Sequence, residues 1–273
     1  MKKVLRKILD FIEQVTQSHA GAYAAQSAYF FVLSMIPIIL LLLTIVQFTP
    51  VTKADVMTAM VQVFPEKNMQ NFMVGIVNEV YNQSRTVIPV TAVVAMWSAG
   101  KGVLAVSTGL NSAYRIRETR NYVYLRIRAS LYTVMFILTI VMALLLSVFG
   151  NSISIFISHR FPFLADTVEY IMQMRTVVSF VMMMGVSLLV YRFLPNRTEK
   201  FRSLVPGAVL SSLGWLAISF VFSMYLSIFR GFSGLYGSMT AIILVMLWLY
   251  FCMYVMLLGG LVNRMWKEQK EEE

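Results

Sequence analysis

The sequence predicts an all-α fold: a polytopic membrane helix bundle of six transmembrane helices, with amphipathic helices at the N-terminus and in the first outer loop. Three observations predict it. Of 273 residues, 58% are hydrophobic and only 13% charged, and the mean hydropathy is +0.71; soluble domains carry about 25% charged residues. The apolar residues gather into runs of the roughly 20 residues a helix needs to cross a bilayer. The connections between runs alternate between many and few basic residues.

Residues 1–23 read as a cytoplasmic amphipathic helix. Val4, Leu5, Ile8, Phe11, Ile12 and Val15 form one helical stripe, with Lys2, Lys3, Arg6, Lys7 and Asp10 off it. Such a helix suits the membrane surface, and equally suits packing under the bundle. It lacks the apolar core and small-residue cleavage site of a signal peptide.

Residues 24–262 form the six-span domain, with spans near 24–48, 87–110, 131–150, 170–194, 205–229 and 238–262. The first span carries Gln26, Ser27, Tyr29 and Ser34 in one half. Pro37 follows and removes a backbone donor, which leaves the Leu33 carbonyl without its helical partner. A packing kink and a substrate-lining break are both open there. Residues 50–85 leave the membrane, with Met69, Phe72, Met73, Ile76, Val77 and Val80 at helical spacing. Gly231, Gly234 and Gly237 mark a turn or hinge before the sixth span, and residues 263–273 form a charged cytoplasmic tail that frays.

Of the 23 Lys and Arg residues, 16 fall on the side of the termini, the 115–128 loop and the 192–202 loop. Six fall on the other side: Lys53, Lys67, Arg85, Arg160, Arg175 and Arg230. The bias places both termini in the cytoplasm. It also accounts for the net charge of +10 without nucleic acid, because anionic lipid attracts the basic face.

The second span holds the one awkward residue. Lys101 is the only ionisable group in the middle of a long apolar run. A lysine at the bilayer centre costs about 2.5–3.5 kcal/mol, so it needs a purpose. Gly100-Lys101-Gly102 is not a phosphate-binding loop, since Ala95 and Gly102 stand where glycine and Ser/Thr are required. A metal site needs clustered ligands, and none are spaced for it. A serine nucleophile needs a base within reach, and His19 and His159 lie outside the spans. The chain is therefore expected to be no enzyme, with no catalytic residue, metal or cofactor. Tyr114, Tyr122 and Tyr124 among the arginines of 115–128 read as an interfacial loop, not a nucleic-acid surface.

Two readings of Lys101 stay open. It snorkels or pairs with carbonyls in a dry helix interface, or it lines a wet path and meets an anion. Gly100 and Gly102 favour close backbone approach or a helix break, as where transporters bind substrate. Tyr29, Ser34, Pro37, Trp97, Ser98, Lys101 and Asn111 are the candidate path; Gly100, Gly102, Gly231, Gly234 and Gly237 are the candidate hinges.

Several stretches resemble the YihY/BrkB family of bacterial inner-membrane proteins. Ala24 through Pro37, AAQSAYFFVLSMIP, is similar to the family's opening AxxLAYYxLLSLFP pattern, with Gln26 where members are commonly apolar. Trp97 through Gly102 is similar to its WSAS-type motif, followed by Leu110, Asn111 and Tyr114. Tyr191 through Asn196 with Pro206-Gly207-Ala208, and Leu247 through Tyr250 with Leu258 through Asn263, are similar to its later motifs. The resemblance implies an inner-membrane protein tied to serum resistance and envelope or lipid export. An older ribonuclease BN label for the family is regarded as a misassignment.

The expected function is a transporter or flippase-like exporter of an amphipathic or anionic substrate, with lipid as one such substrate. The alternative is an envelope assembly protein that transports nothing. Expected partners are membrane lipids, with a second copy of the chain or an envelope-transport protein as a further one.

Overall fold

Among the described residues of the computed structural model, every regular element is an α-helix. The structure describes residues 2–46, 53–54, 56–58, 74–75, 77–78, 87–133, 175–228 and 238–272. The bounded helices are α1 (Lys2–Gln17), α2 (Ala20–Val46), α3 (Val87–Ala113), α4 (Arg175–Phe193), α5 (Phe201–Ile228) and α6 (Ser238–Glu272). Residues 122–133 are also helical. Among the described residues two helices are long and apolar enough to cross a membrane, at Phe201–Tyr225 and Ile242–Glu271, and Phe180–Phe193 is a shorter apolar stretch. The residues of the spans expected near 24–48 and 87–110 fall largely on helices α2 and α3. Most of the expected third span, most of the outer-loop helix, and Gly231, Gly234 and Gly237 lie outside the described residues.

The chain forms two compact units. One comprises Met1–Val32, Lys101–Ala129 and Thr176–Glu273; the other comprises Leu33–Gly100 and Ser130–Arg175.

In the first unit α1 ends in a turn in which the Ser18 hydroxyl donates to the Val15 carbonyl and His19 takes a φ of 52°. A left-handed residue closes a helix and lets the chain restart at a new angle. The boundary between the N-terminal helix and the next therefore falls at 18–19. α2 and α3 run antiparallel: Gly102 meets the Phe31 ring, Gly109 meets Tyr23, and the Ser112 hydroxyl donates to the Ser18 carbonyl. Small residues allow this approach where lipid supplies no hydrophobic push between helices.

α5 and α6 cross at a closer contact still. A Cβ on Gly207 would fall on the Gly259 carbonyl oxygen, and one on Gly259 would strike the Tyr191 and Ser211 hydroxyls. Pro206 stands inside α5 and has no N–H to donate. The next N–H, of Gly207, donates to the buried Asn263 side chain at 2.7 Å. The Tyr191 hydroxyl donates to the Met256 carbonyl at 2.7 Å and also bonds Ser211. α4, α5 and α6 are thus joined by polar pins within an apolar bundle.

The tail expected to fray is helical to Glu272. Arg264 pairs with Glu268 at 3.3 Å and Lys267 with Glu271 at 3.6 Å, one turn apart on the helix. Asn263 and Arg264 are buried. Charge density marked this stretch as solvated; tertiary partners for its charges order it instead.

Gly259→Ala and Gly207→Ala are expected to lower stability by about 1–3 kcal/mol through overpacking. Gly185→Ala on α4, where a Cβ meets nothing within 4 Å, is expected to be neutral or stabilising by up to about 1 kcal/mol. Thermal unfolding of the purified variants in detergent checks the ranking.

Candidate functional site

Helix ends leave carbonyl oxygens without partners, and at the ends of α3 and α4 these are met by cations and hydroxyls. The Ala113 carbonyl accepts from Arg264 Nη1 at 2.7 Å. The Leu194 carbonyl accepts from Ser107 Oγ at 2.9 Å and from Arg120 Nη2 at 3.1 Å. Arg128 donates to the Phe193 carbonyl. Arg115 takes a φ of 55° and closes α3, with the Arg115 N–H bonding Ser112 and the Ile116 N–H bonding Asn111.

Asn111 lies at the centre of this lattice. Its Nδ2 donates to Glu118 at 2.7 Å, and its Oδ1 accepts from the Asn196 N–H at 2.8 Å. Glu118 takes two guanidinium bonds from Arg120, at 2.8 and 2.7 Å, and the Arg120 N–H at 3.1 Å. Those bonds, the Arg120 charge and the Asn111 amide hold the Glu118 carboxyl at about 2. Arg197 stacks on the Tyr114 ring, 3.8 Å from its centroid, and burial pushes the Tyr114 hydroxyl up to about 12. Glu199 pairs with Lys267 at 2.9 Å and Arg197 at 3.7 Å. Among the described residues no group of three His, Cys, Asp or Glu could hold a metal ion.

Lys101 lies elsewhere. Ten residues before Asn111 on the same helix is roughly 15 Å along the axis. From 101 to 113 only Lys101 and Thr108 are exposed on α3. The Lys101 ammonium sits 5.5 Å from the Phe30 ring centroid. That distance suits a cation–π contact, which is stronger out of water. Tyr29 is exposed beside it, its ring 5.4 Å from that of Phe30. α2 and α3 contain no Asp or Glu, so neither helix supplies Lys101 with a counter-charge.

The candidate path residues fall in both units. Tyr29, Lys101 and Asn111 belong to the first unit; Ser34, Trp97 and Ser98 belong to the second. Trp97 is 54% exposed, Ser98 half-buried and Ser34 fully buried. The helical backbone of α2 runs through Pro37, whose side chain lies outside the described residues. Asn111 is bound on both sides in the end lattice. The helix break considered at Gly100 and Gly102 is absent, because α3 is continuous. Both glycines serve close approach: a Cβ on Gly100 would lie 3.3 Å from Ser130 Oγ, and one on Gly102 3.0 Å from the Phe31 ring. The lattice residues Glu118, Arg120, Asn196, Arg197, Glu199, Asn263, Arg264 and Lys267 were legible only as sidedness of charge. A glutamate standing among arginines in each of two loops, at Glu118 and Glu199, was the available signal.

Helices of membrane-crossing length and apolarity, with charge gathered at helix ends, define an all-helical membrane protein. The comparisons give the family. The chain matches the family described as virulence factor BrkB over residues 11–273 and belongs to it. It is 30% identical over 267 residues to the ribonuclease-like protein YfkH of Bacillus subtilis, covering 96% of this chain and 95% of that one. It is 33% identical over 72 residues to a UPF0761 membrane protein of Stenotrophomonas maltophilia, covering 26% of this chain and 17% of the relative. A UPF0761 membrane protein of Idiomarina loihiensis is 31% identical over 75 residues, covering 28% of this chain and 26% of the relative. No solved structure matches the chain.

A carboxylate whose pKa is depressed by folding adds stability above its unfolded value, which is lost as pH falls toward the folded value. For Glu118 that window runs from 4.5 down to about 2. Glu118→Gln is expected to cost about 1 kcal/mol at neutral pH, discounted for partial exposure. It should also flatten the acid limb. Thermal unfolding of both proteins between pH 7 and pH 2 checks this; parallel pH profiles would contradict it.

Proposed function

We propose that this protein moves an amphipathic, anionic molecule across the bacterial inner membrane, as a transporter or flippase-like exporter. Six spans, with residues 1–23 and 263–273 on the cytoplasmic side, complete the reading. The observation that carries it is Lys101: a cation in the middle of α3, exposed where only Thr108 among residues 102–113 is exposed with it. A structural lysine would be capped by carbonyls or a carboxylate, as Arg264 and Lys267 are. The Lys101 ammonium rests on the Phe30 ring instead, and among the described residues its N–H groups have no other partner. Trp97 and Ser98 stand earlier on α3 and belong to the same proposed path, with Tyr29, Ser34 and Pro37 on α2.

Energy coupling follows from what the helices carry. No nucleotide-binding motif is present in the sequence, and α2 and α3 offer no carboxylate for a proton relay. Passive movement, or assistance to a partner that binds nucleotide, is the consistent mode. The ribonuclease-like wording belongs to one relative and is not carried over, since Glu118 and Glu199 are taken up in ion pairs.

Reconstitution in liposomes with a fluorescent anionic phospholipid, read by quenching from outside, tests the reading. Wild type is expected to equilibrate the probe between leaflets. Lys101→Met should slow this at least tenfold and Lys101→Arg should retain most of it. No movement by wild type, or full movement by Lys101→Met, would favour the envelope-assembly role.

A further inference from the structure

We infer that the exposed seam between α2 and α3 is a lateral site for one anionic phospholipid of the cytoplasmic leaflet, its phosphate held by Lys101, Tyr29 and Gln26. The inference rests on the proposed translocation for its orientation and names the substrate class and route of access.

The contacts of α2 with α3 set the register. Phe31 lies against Gly102 and Tyr23 against Gly109, so Gln26 stands about one and a half helical turns, roughly 8 Å, from Lys101 toward the Ala113 end. Gln26, Tyr29 and Lys101 are all exposed. Among the described residues, neither the Gln26 amide nor the Tyr29 hydroxyl has a hydrogen-bond partner, and Lys101 has its ring contact alone. Polar heads at the depth of hydrocarbon are costly unless something bonds them. An amide, a phenol and an ammonium are donors, and a phosphate diester offers the oxygens to accept from all three.

Polarity along α3 gives the direction of access. The half after Lys101 exposes Thr108 and ends in the basic loop with exposed Arg115 and Arg117. The half before it exposes Val90, Val94 and Trp97. Among the described exposed residues of α3 the polar rungs therefore lie toward the Arg115 end, the cytoplasmic one in the proposed orientation. The heads lie on an exposed face, so acyl chains remain in the bilayer while the phosphate descends beside Lys101. A soluble anion would need an enclosed aqueous path instead.

The test uses the full chain reconstituted in phosphatidylcholine vesicles doped with a phospholipid that carries a photoactivatable diazirine in one acyl chain. Adducts are mapped by mass spectrometry. Phosphatidylglycerol is expected to label the 22–33 and 97–108 segments at least fivefold more than phosphatidylcholine of the same chain. Lys101→Gln should bring the two lipids to equal labelling and Lys101→Arg should keep the preference. Glycerol 1-phosphate at millimolar concentration should not compete. Equal labelling of wild type by both lipids would overturn the site, leaving a face that only touches lipid. Competition by glycerol 1-phosphate would overturn it in favour of a soluble-anion path. Selective labelling without transbilayer movement would leave the site standing and overturn translocation; movement without selective labelling would do the reverse.

Discussion

The carbonyl oxygens at the ends of α3 and α4 must be hydrogen-bonded to something, and the way this chain does so organises the first unit. Arg264 from the last helix, Arg120 and Arg128 from the loop and helix after α3, and Ser107 from α3 itself supply the donors. Each bond ties segments that are far apart in sequence. Arg264 also reaches Gln14 on α1, so the last helix is linked to both α1 and α3. Once the guanidiniums are committed, the carboxylates Glu118 and Glu199 lie among them and complete the pairing.

This arrangement separates two kinds of charge. Charges at the helix ends are pinned, and charge-assisted bonds of this type rigidify what they join. Lys101 shares no part of that network. From 102 to 113 α3 exposes only Thr108, because small residues such as Gly102 and Gly109 let neighbours come close. The residue that cannot be buried cheaply is therefore left on the seam. The first unit thus has pinned charges at its helix ends and a cation on an open flank.

Much of the helical class was legible in the sequence, because apolar runs and their proline and glycine punctuation are local signals. α2, α3 and α5 lie close to the expected spans. Partners were not legible. Asn263 read as the start of a loose tail, yet it accepts the Gly207 N–H that follows Pro206. The bonds of Asn111 to Glu118 and Asn196, 7 and 85 residues away, could not be read from spacing. The glycines beside Lys101 read as a break or a close approach, and only the neighbouring Phe31 and Ser130 decide for approach. Spacing reports the period of a helix; it does not report which side chain from another helix fills the space.

The central claim is that Lys101 lies on a polar, accessible flank of a helix that is dry elsewhere. A single-cysteine scan of residues 101–109, with the buried Cys252 replaced by serine, tests it most directly. With a membrane-impermeant thiol reagent applied from the cytoplasmic side, positions 101 and 108 are expected to label, and positions 102, 105 and 109 to be protected. Protection at 101 and 108, or uniform labelling all round the helix, would contradict the account.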